Sequence, residues 1–167
     1  MILVTVGTHE QPFNRLLEAV DSIAASQTSH ERWIVQYGFS SYQLQSCQGY
    51  RFVPADQMET YLKEARIVIT HGGPASFMEL VSMGKTPIVV PRQACFDEHV
   101  NDHQVDFTRQ VAERIGGIIP IYNIDDLPAA VEDFDLRSAQ VSSGFVSHHA
   151  AFVASFTALA DQLVGSK

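Results

Sequence analysis

The chain has 167 residues, of which 46% are hydrophobic and 18% are charged, as expected of one globular domain with its own core. Its net charge is −8 and its Lys and Arg residues form no cluster, which argues against nucleic acid as a partner. Cys47 and Cys95 lie far apart without a CxxC spacing, and this indicates a reducing compartment. Since there is no basic leader and no apolar run of about 20 residues, we expect a cytoplasmic protein.

Strand-like and helical segments alternate from the first residue. Short apolar runs predict strands over residues 2–6, 32–38, 50–55, 67–70, 86–91 and 116–122. Helical periodicity predicts helices over 13–23, 58–65, from the turn HGGPAS to about 83, over 103–114 and from 125 onward, the last segment covering about 145–164. Such alternation predicts a doubly wound, parallel α/β sheet, and the lack of repeats or linkers predicts a single domain over 1–167.

Three loops follow predicted strands and are the expected ligand-binding loops. They read GTHEQPF, HGGPAS and PRQACFDEHVNDHQ. In parallel sheets, ligands bind beyond the carboxyl ends of the strands, so these loops should meet.

The turn HGGPAS allows two interpretations. Gly72 and Gly73 let the backbone approach a ligand, and the helix that follows offers N–H groups to a phosphate. Alternatively, Ser76 and Glu79 have the spacing of a capping box, which would make this an ordinary helix start. If Pro74 is the first helical residue, Ser76 lies inside the first turn and Glu79 is free for a ligand.

Two patterns could suggest a metal. His99 and His103 are four residues apart, and Asp133 to Asp135 form an Asp-Phe-Asp stretch. The histidines lack an HExxH motif or a clear third ligand, and the aspartates lie in a helical segment. We therefore expect no metal site. The first strand is followed by no GxGxxG motif, which disfavours a dinucleotide oxidoreductase.

The succession THGGPASFMELVSMGKTPIVVPRQACFDEHVNDHQ resembles the C-terminal, donor-binding domain of glycosyltransferase family 28. The opening ILVTVGTHEQPFNRLLEAVD is similar to single-domain subunits that resemble the catalytic half of the dolichol-linked N-acetylglucosaminyltransferase, and to bacterial relatives in polysaccharide and capsule synthesis. The resemblance covers about residues 1–120. It departs at Phe107, where many two-domain members have Asn. The matching positions are Ser76, Glu79, Gly84, Pro87, Pro91, His103 and Gln104.

The resemblance implies a Rossmann-like sheet that is one half of a GT-B glycosyltransferase. It implies that Gly72, Gly73 and Ser76 line the donor diphosphate and that Glu79 holds the ribose hydroxyls. The pair His103–Gln104 would belong to the donor site, with Gln104 near the sugar, and Gly7 and Thr8 would face the same cleft.

The roles of three further residues are open. His71 would support the phosphate turn, or it is simply a hydrogen-bonded turn histidine. His9 and Glu10 either contact substrate or pack the loop. His9 is a candidate catalytic base, although we expect the base on a partner subunit.

The implied reaction transfers a hexose-type sugar from a UDP-sugar to a lipid-diphosphate-linked acceptor, without a metal or other cofactor. The acceptor half would be a membrane-associated partner subunit, which would place this chain at the membrane periphery. A helical tail over about 145–164 would dock on that partner or pack on its own sheet; its apolar stripe is Phe145, Phe152, Phe156, Leu159 and Leu163. The alternatives are a non-enzymatic accessory subunit and half of a UDP-sugar epimerase.

Overall fold

The structure, a computed structural model, describes residues 1–26 and 31–144, with the backbone alone for 142–144. The strands are β1 (Ile2–Thr5), β2 (Trp33–Gln36), β3 (Gln48–Tyr50), β4 (Ile67–His71), β5 (Ile88–Val90) and β6 (Ile119–Pro120). The helices are α1 (Asn14–Ser26), α2 (Ala55–Glu64), α3 (Pro74–Ser82), α4 (His103–Arg114), α5 (Leu127–Glu132) and α6 (Phe134–Gly144). Short 3-10 turns lie at Ala94–Phe96 and Ile124–Asp126.

The six strands form one sheet in the order β3-β2-β1-β4-β5-β6, and all neighbours are parallel. In the central strand, Ile2 lies opposite Trp33 on one side and Ile67 on the other. The chain builds outward from β1 to β3 and then returns to the other side of β1, so the order reverses between β1 and β4. The predicted Rossmann-like α/β fold is confirmed, and the reversal marks the expected ligand crevice.

Helices cover both faces of the sheet, which explains the nearly continuous apolar strands. On one face, Ile2 and Val4 belong to a core cluster with residues of α1 and α5, such as Leu16 and Val131. On the other face, Leu3 packs in a cluster that includes residues of α2 and α3. A third cluster joins α3 to α4 beside β5. Because both faces are buried, the strands hold the loops at their carboxyl ends in fixed positions.

The third strand differs from its prediction over residues 50–55. Strand β3 is Gln48–Tyr50, and its pairing ends when the N–H groups of Tyr37 and Gly38 donate to the carbonyls of Tyr50 and Arg51. Pro54 then occupies the N-cap of α2, which begins three residues earlier than predicted. The first turn of α2 is exposed and therefore carries no apolar periodicity that would reveal it.

The predicted helical tail over 145–164, with its apolar stripe, lies outside the described residues. The helix leading up to it, α6, falls in the region predicted to be helical from residue 125. Within the described ranges, no helix is both long enough and apolar enough to cross a membrane.

Candidate functional site

A cleft of about 330 Å³ opens at the carboxyl ends of β1, β2 and β4, where the strand order reverses. Five residues predicted to form the site line it, namely Gly7, Thr8, His71, Ser76 and Glu79. The remaining lining residues are Thr5, Gln36, Val53, Ala55, Met58, Leu62 and Leu80. The fold thus brings together two loops that are more than 60 residues apart in the chain.

Helix α3 begins beside this cleft, and Ser76 of its first turn lines the cleft. Gly73 is the N-cap, Pro74 opens the helix, and no side chain caps it. The Ser76 N–H donates to the Gly73 carbonyl at 3.1 Å, so Ser76 is the third helical residue. The capping-box interpretation is therefore wrong. Glu79 lies one turn further on, exposed, in the cleft wall.

The position of the His71 ring explains why residues 7 and 73 are glycines. Gly7 has a φ of +77°, and a Cβ built there would lie 2.6 Å from His71 Cε1. A Cβ on Gly73 would collide with His71 Nε2. The imidazole therefore occupies the space that both glycines leave open, and the turn HGGPAS packs a histidine between the two loops. His71 also remains part of the cleft wall.

Burial lowers the pKa of His71 to about 4, and the positive charge of Arg92 acts in the same direction. The ring is therefore neutral at physiological pH. It can donate or accept one hydrogen bond at the cleft, but it brings no positive charge to an anion. Attraction for an anion must come from the helix terminus and from backbone N–H groups.

Four predicted donor-site residues do not line the cleft, and one of them is Gly73, the N-cap of α3. Gly72 is buried, and a Cβ there would lie 3.0 Å from Pro91 Cα and from Thr108 Oγ1. Gln104 is only 8% exposed, and its Oε1 accepts a hydrogen bond from the Arg92 N–H at 3.2 Å. His103 is exposed on the first turn of α4. The donor contacts of these four residues stay predictions.

Phe107 is a core residue. It is 2% exposed, and its ring centroid lies 5.6 Å from that of Phe77. The departure from Asn at this position therefore replaces a polar group with an apolar contact between α3 and α4.

The two sequence patterns that could suggest a metal do not form a metal site in the described residues. Asp133 and Asp135 lie at the junction of α5 and α6, where they pair with Arg137 at 3.8 Å and Arg66 at 3.3 Å. Within residues 1–26 and 31–144, no group of three or more His, Cys, Asp or Glu is arranged to hold a metal ion.

Arg92 is a buried cation that the sequence analysis did not single out. It lies two residues after β5, is fully buried, and its side chain donates to four backbone carbonyls. These are Val6 O at 2.9 Å, Gln11 O at 2.8 Å, Glu98 O at 3.1 Å and Pro12 O at 3.3 Å. Burial lowers the pKa of Arg92 to about 10, so it remains charged at neutral pH. A charged residue shortly after a buried strand was the available signal.

A second arginine completes the connection between the two loops. Arg15 of α1 forms a two-bond ion pair with Glu98, at 2.9 and 2.8 Å, and also donates to Pro91 O at 3.2 Å. Glu98 in turn accepts from the Gln93 N–H. Arg92, Arg15 and Glu98 therefore fix the loop after β5 against the loop after β1.

The far wall of the cleft comes from the loop after β3 and from α2. Gln36 is 6% exposed; it donates to Thr5 Oγ1 and accepts from the Val53 N–H at 3.1 Å. Met58 and Leu62 of α2 add apolar surface. None of these wall residues was predicted, since β3 and α2 carry weak sequence patterns.

Comparison with known proteins agrees with this geometry. The model of the family described as "Glycosyltransferase family 28 C-terminal domain" matches residues 1–151. The chain belongs to this family. The glycosyltransferase family 28 domain accounts for the whole described sheet and for the cleft. A curated relative, the "UDP-N-acetylglucosamine transferase subunit ALG13" of Yarrowia lipolytica, is 30% identical over 112 residues. The match covers 59% of this chain and 56% of that protein, so the chain spans little more than half the length of the relative.

Proposed function

We propose that this chain is the donor-binding, catalytic subunit of a two-component glycosyltransferase. It would transfer a hexose-type sugar from a UDP-sugar to a lipid-diphosphate-linked acceptor. The observation that carries the proposal is the cleft at the strand reversal, where the uncapped N-terminus of α3 meets Gly7 and Thr8. Family membership supports the class of reaction.

The cleft supplies what the departing UDP needs. The N-terminus of α3 offers the positive end of the helix dipole, which would stabilise the charge that develops on the leaving diphosphate. His71 is neutral and offers one further hydrogen bond. Glu79 would hold the ribose hydroxyls, and the apolar wall of Met58 and Leu62 would pack against the base. No metal ion is needed for this role.

Exposed apolar residues support a partner that covers the cleft. Phe39 and Phe52 follow β2 and β3 and are 41% and 45% exposed, while Phe96 and Val100, in the loop after β5, are 54% and 78% exposed. All four lie in loops that follow strands, on the edge where the cleft opens. A membrane-associated subunit that carries the acceptor half would bury such a surface. The Yarrowia lipolytica relative is named as a transferase subunit, and this supports an enzyme of more than one chain.

A thermal-shift series with the isolated chain tests donor binding. UDP or a UDP-sugar at a hundredfold over its dissociation constant should stabilise the fold by about 2.7 kcal/mol, whereas ADP and NAD should give little shift. Ser76→Tyr, which fills the cleft, should abolish the shift. Thr60→Tyr, at an exposed position of α2 that does not line the cleft, is the matched control. Absence of any shift with millimolar uridine nucleotides would contradict the proposal.

An accessory subunit that does not bind donor is the competing function. The same series separates the two, since an accessory subunit predicts no nucleotide-dependent stabilisation. Sugar transfer to a lipid-diphosphate acceptor, measured with the chain assembled with its native partner and with each component alone, then tests the reaction itself.

A further inference from the structure

Three imidazole rings lie one against the next between two loops at the carboxyl edge of the sheet. His9 belongs to the loop after β1, His99 to the loop after β5, and His103 to the first turn of α4. The ring centroids of His9 and His99 are 4.7 Å apart, and those of His99 and His103 are 5.4 Å apart. In the part of the chain that the structure describes, these rings are not arranged as metal ligands. Their packing needs another explanation.

Hydrogen bonds around Gln11 assign the proton of His9. Gln11 Nε2 lies 3.1 Å from the Asp97 carbonyl oxygen, which can only accept, so the amide nitrogen faces Asp97 and Oε1 faces His9. His9 Nε2 lies 3.0 Å from that Oε1 and must therefore be the donor. In the neutral ring the proton is then on Nε2, and Nδ1 keeps its lone pair. A neutral imidazole with one assigned basic nitrogen is what a general base requires.

The position of His9 is well defined. It does not itself line the cleft, but it follows Gly7 and Thr8, which do, and its charge acts on His71, which lines the cleft as well. The backbone beside it is anchored because the Gln11 carbonyl accepts from the buried Arg92 at 2.8 Å. His71 itself is a poor base at neutral pH, because burial lowers its pKa to about 4.

We propose that His9 is the general base of the transfer and that Gln11 is a positioning residue acting through it. The proposal rests on the proposed function. The acceptor hydroxyl gives its proton to His9 Nδ1 while its oxygen forms the new bond to the anomeric carbon of the donor. The bond from that carbon to the β-phosphate oxygen breaks, and its electron pair leaves with UDP.

His99, whose ring packs against that of His9, is a suitable neighbour for a base. Burial lowers the pKa of His99, and the charges of His9 and His103 act in the same direction. A second positive charge on His99 is therefore disfavoured beside His9 and His103.

The first test uses the full chain assembled with its native partner. His9→Gln should lower kcat by about 10²–10⁴-fold while the dissociation constant for the UDP-sugar changes less than twofold, since a base acts only in the chemical step. Transfer by His9→Gln at the wild-type rate would overturn the base proposal and leave the proposed function intact. A wild-type assembly that binds UDP-sugar but transfers no sugar would overturn both. UDP binding by the variant confirms that it is folded.

The second test needs no partner. The ¹⁵N chemical shifts of His9 in the isolated chain should show the proton on Nε2 and a bare Nδ1. Gln11→Leu should mix the two tautomers and lower kcat, whereas Gln11→Glu, which keeps an acceptor for Nε2–H, should restore the tautomer and most of the rate. A proton found on Nδ1 in the wild-type chain would overturn the proposal.

Discussion

At the scale of single residues, His71 and Glu79 both line the cleft but differ in their exposure to solvent. His71 is enclosed between Gly7 and Gly73, and burial holds it neutral. Glu79 is exposed on the second turn of α3 and reaches the cleft without serving as a helix cap. The first residue shapes the site, and the second is available to a ligand.

Glu79→Ala should weaken UDP binding by about ten- to over a hundredfold, because a hydrogen bond to a charged group contributes roughly 1.5–3 kcal/mol. The melting temperature should barely change, since the N-cap of the helix is Gly73 and not Glu79. Isothermal calorimetry and thermal denaturation measure the two effects. Glu59→Ala, at an exposed position of α2, is the matched control. Unchanged UDP affinity would rule out Glu79 as the ribose ligand.

The free energy of unfolding should fall as the pH is lowered from about 6.5 to about 4. In this window the unfolded chain binds a proton at His71 that the folded chain does not, so protons favour unfolding. The loss amounts to at most about 3 kcal/mol. His99, whose pKa is also lowered, acts in the same direction. His71→Asn should flatten most of this dependence in urea titrations, and His103→Asn should not. Equal pH profiles for wild type and His71→Asn would contradict the assignment.

At the scale of elements, buried groups hold the loops at the carboxyl edge of the sheet in place. The turn between β4 and α3 is shaped by one imidazole, and the loop after β5 is held by Arg92 and Glu98. Neither loop contains a helix or strand longer than the 3-10 turn Ala94–Phe96, so buried side chains fix their positions.

Gly73→Ala should destabilise the protein by about 1–3 kcal/mol, because its Cβ would collide with the His71 ring. The backbone itself is not the obstacle, since φ at Gly73 is −69°. In a His71→Ala background the same change should cost little, giving a large coupling energy in a double-mutant cycle by urea denaturation. Additive effects would show that the ring and the turn do not depend on each other.

Arg92→Met should lower the free energy of unfolding by roughly 1–3 kcal/mol or more, because it leaves buried carbonyls at Val6 and Glu98 without their donor. Arg109→Met, which removes a half-exposed arginine from α4, should stay within about 0.5 kcal/mol of wild type. Chemical denaturation of both variants gives the comparison. Similar losses would mean that the Arg92 hydrogen bonds contribute little.

At the scale of the whole molecule, the chain presents one Rossmann-like sheet with a cleft at its carboxyl edge. Exposed apolar residues lie in loops at the same edge, and the chain spans little more than half the length of its Yarrowia lipolytica relative. The exposed apolar residues are the feature that supports the proposed partner subunit.

The activity of the assembled transferase should survive chelation. In the proposed function the N-terminus of α3 stabilises the leaving diphosphate without a metal ion, so millimolar EDTA should change kcat less than twofold. Sugar transfer with and without EDTA, followed by readdition of Mg²⁺ or Mn²⁺, measures this. Loss with EDTA and recovery with a divalent ion would give a metal a role in the reaction.

The alternation of apolar runs and helical periodicity was enough to predict the sheet, because parallel strands covered on both faces need continuous apolar residues such as Ile67 to Ile69. The bounds of an element were harder to predict where its residues are exposed. Strand β3 and the first turn of α2 were misplaced because their exposed residues carry no periodicity. The motif around Ser76 and Glu79 pointed to the cleft, since strand, turn and helix start are adjacent in the sequence.

The fold class, the family resemblance and the loops at the ligand edge could be predicted from the sequence, since all of these depend on patterns over short stretches of chain. What those residues contact became visible only in the folded molecule. The structure showed that His71 fills the space left by Gly7 and Gly73, that Arg92 holds the loop after β1, and that Gln11 orients His9. These contacts join residues as many as 86 positions apart. Such pairs become neighbours only when the strands assemble, because no local pattern encodes which loops a parallel sheet will bring together.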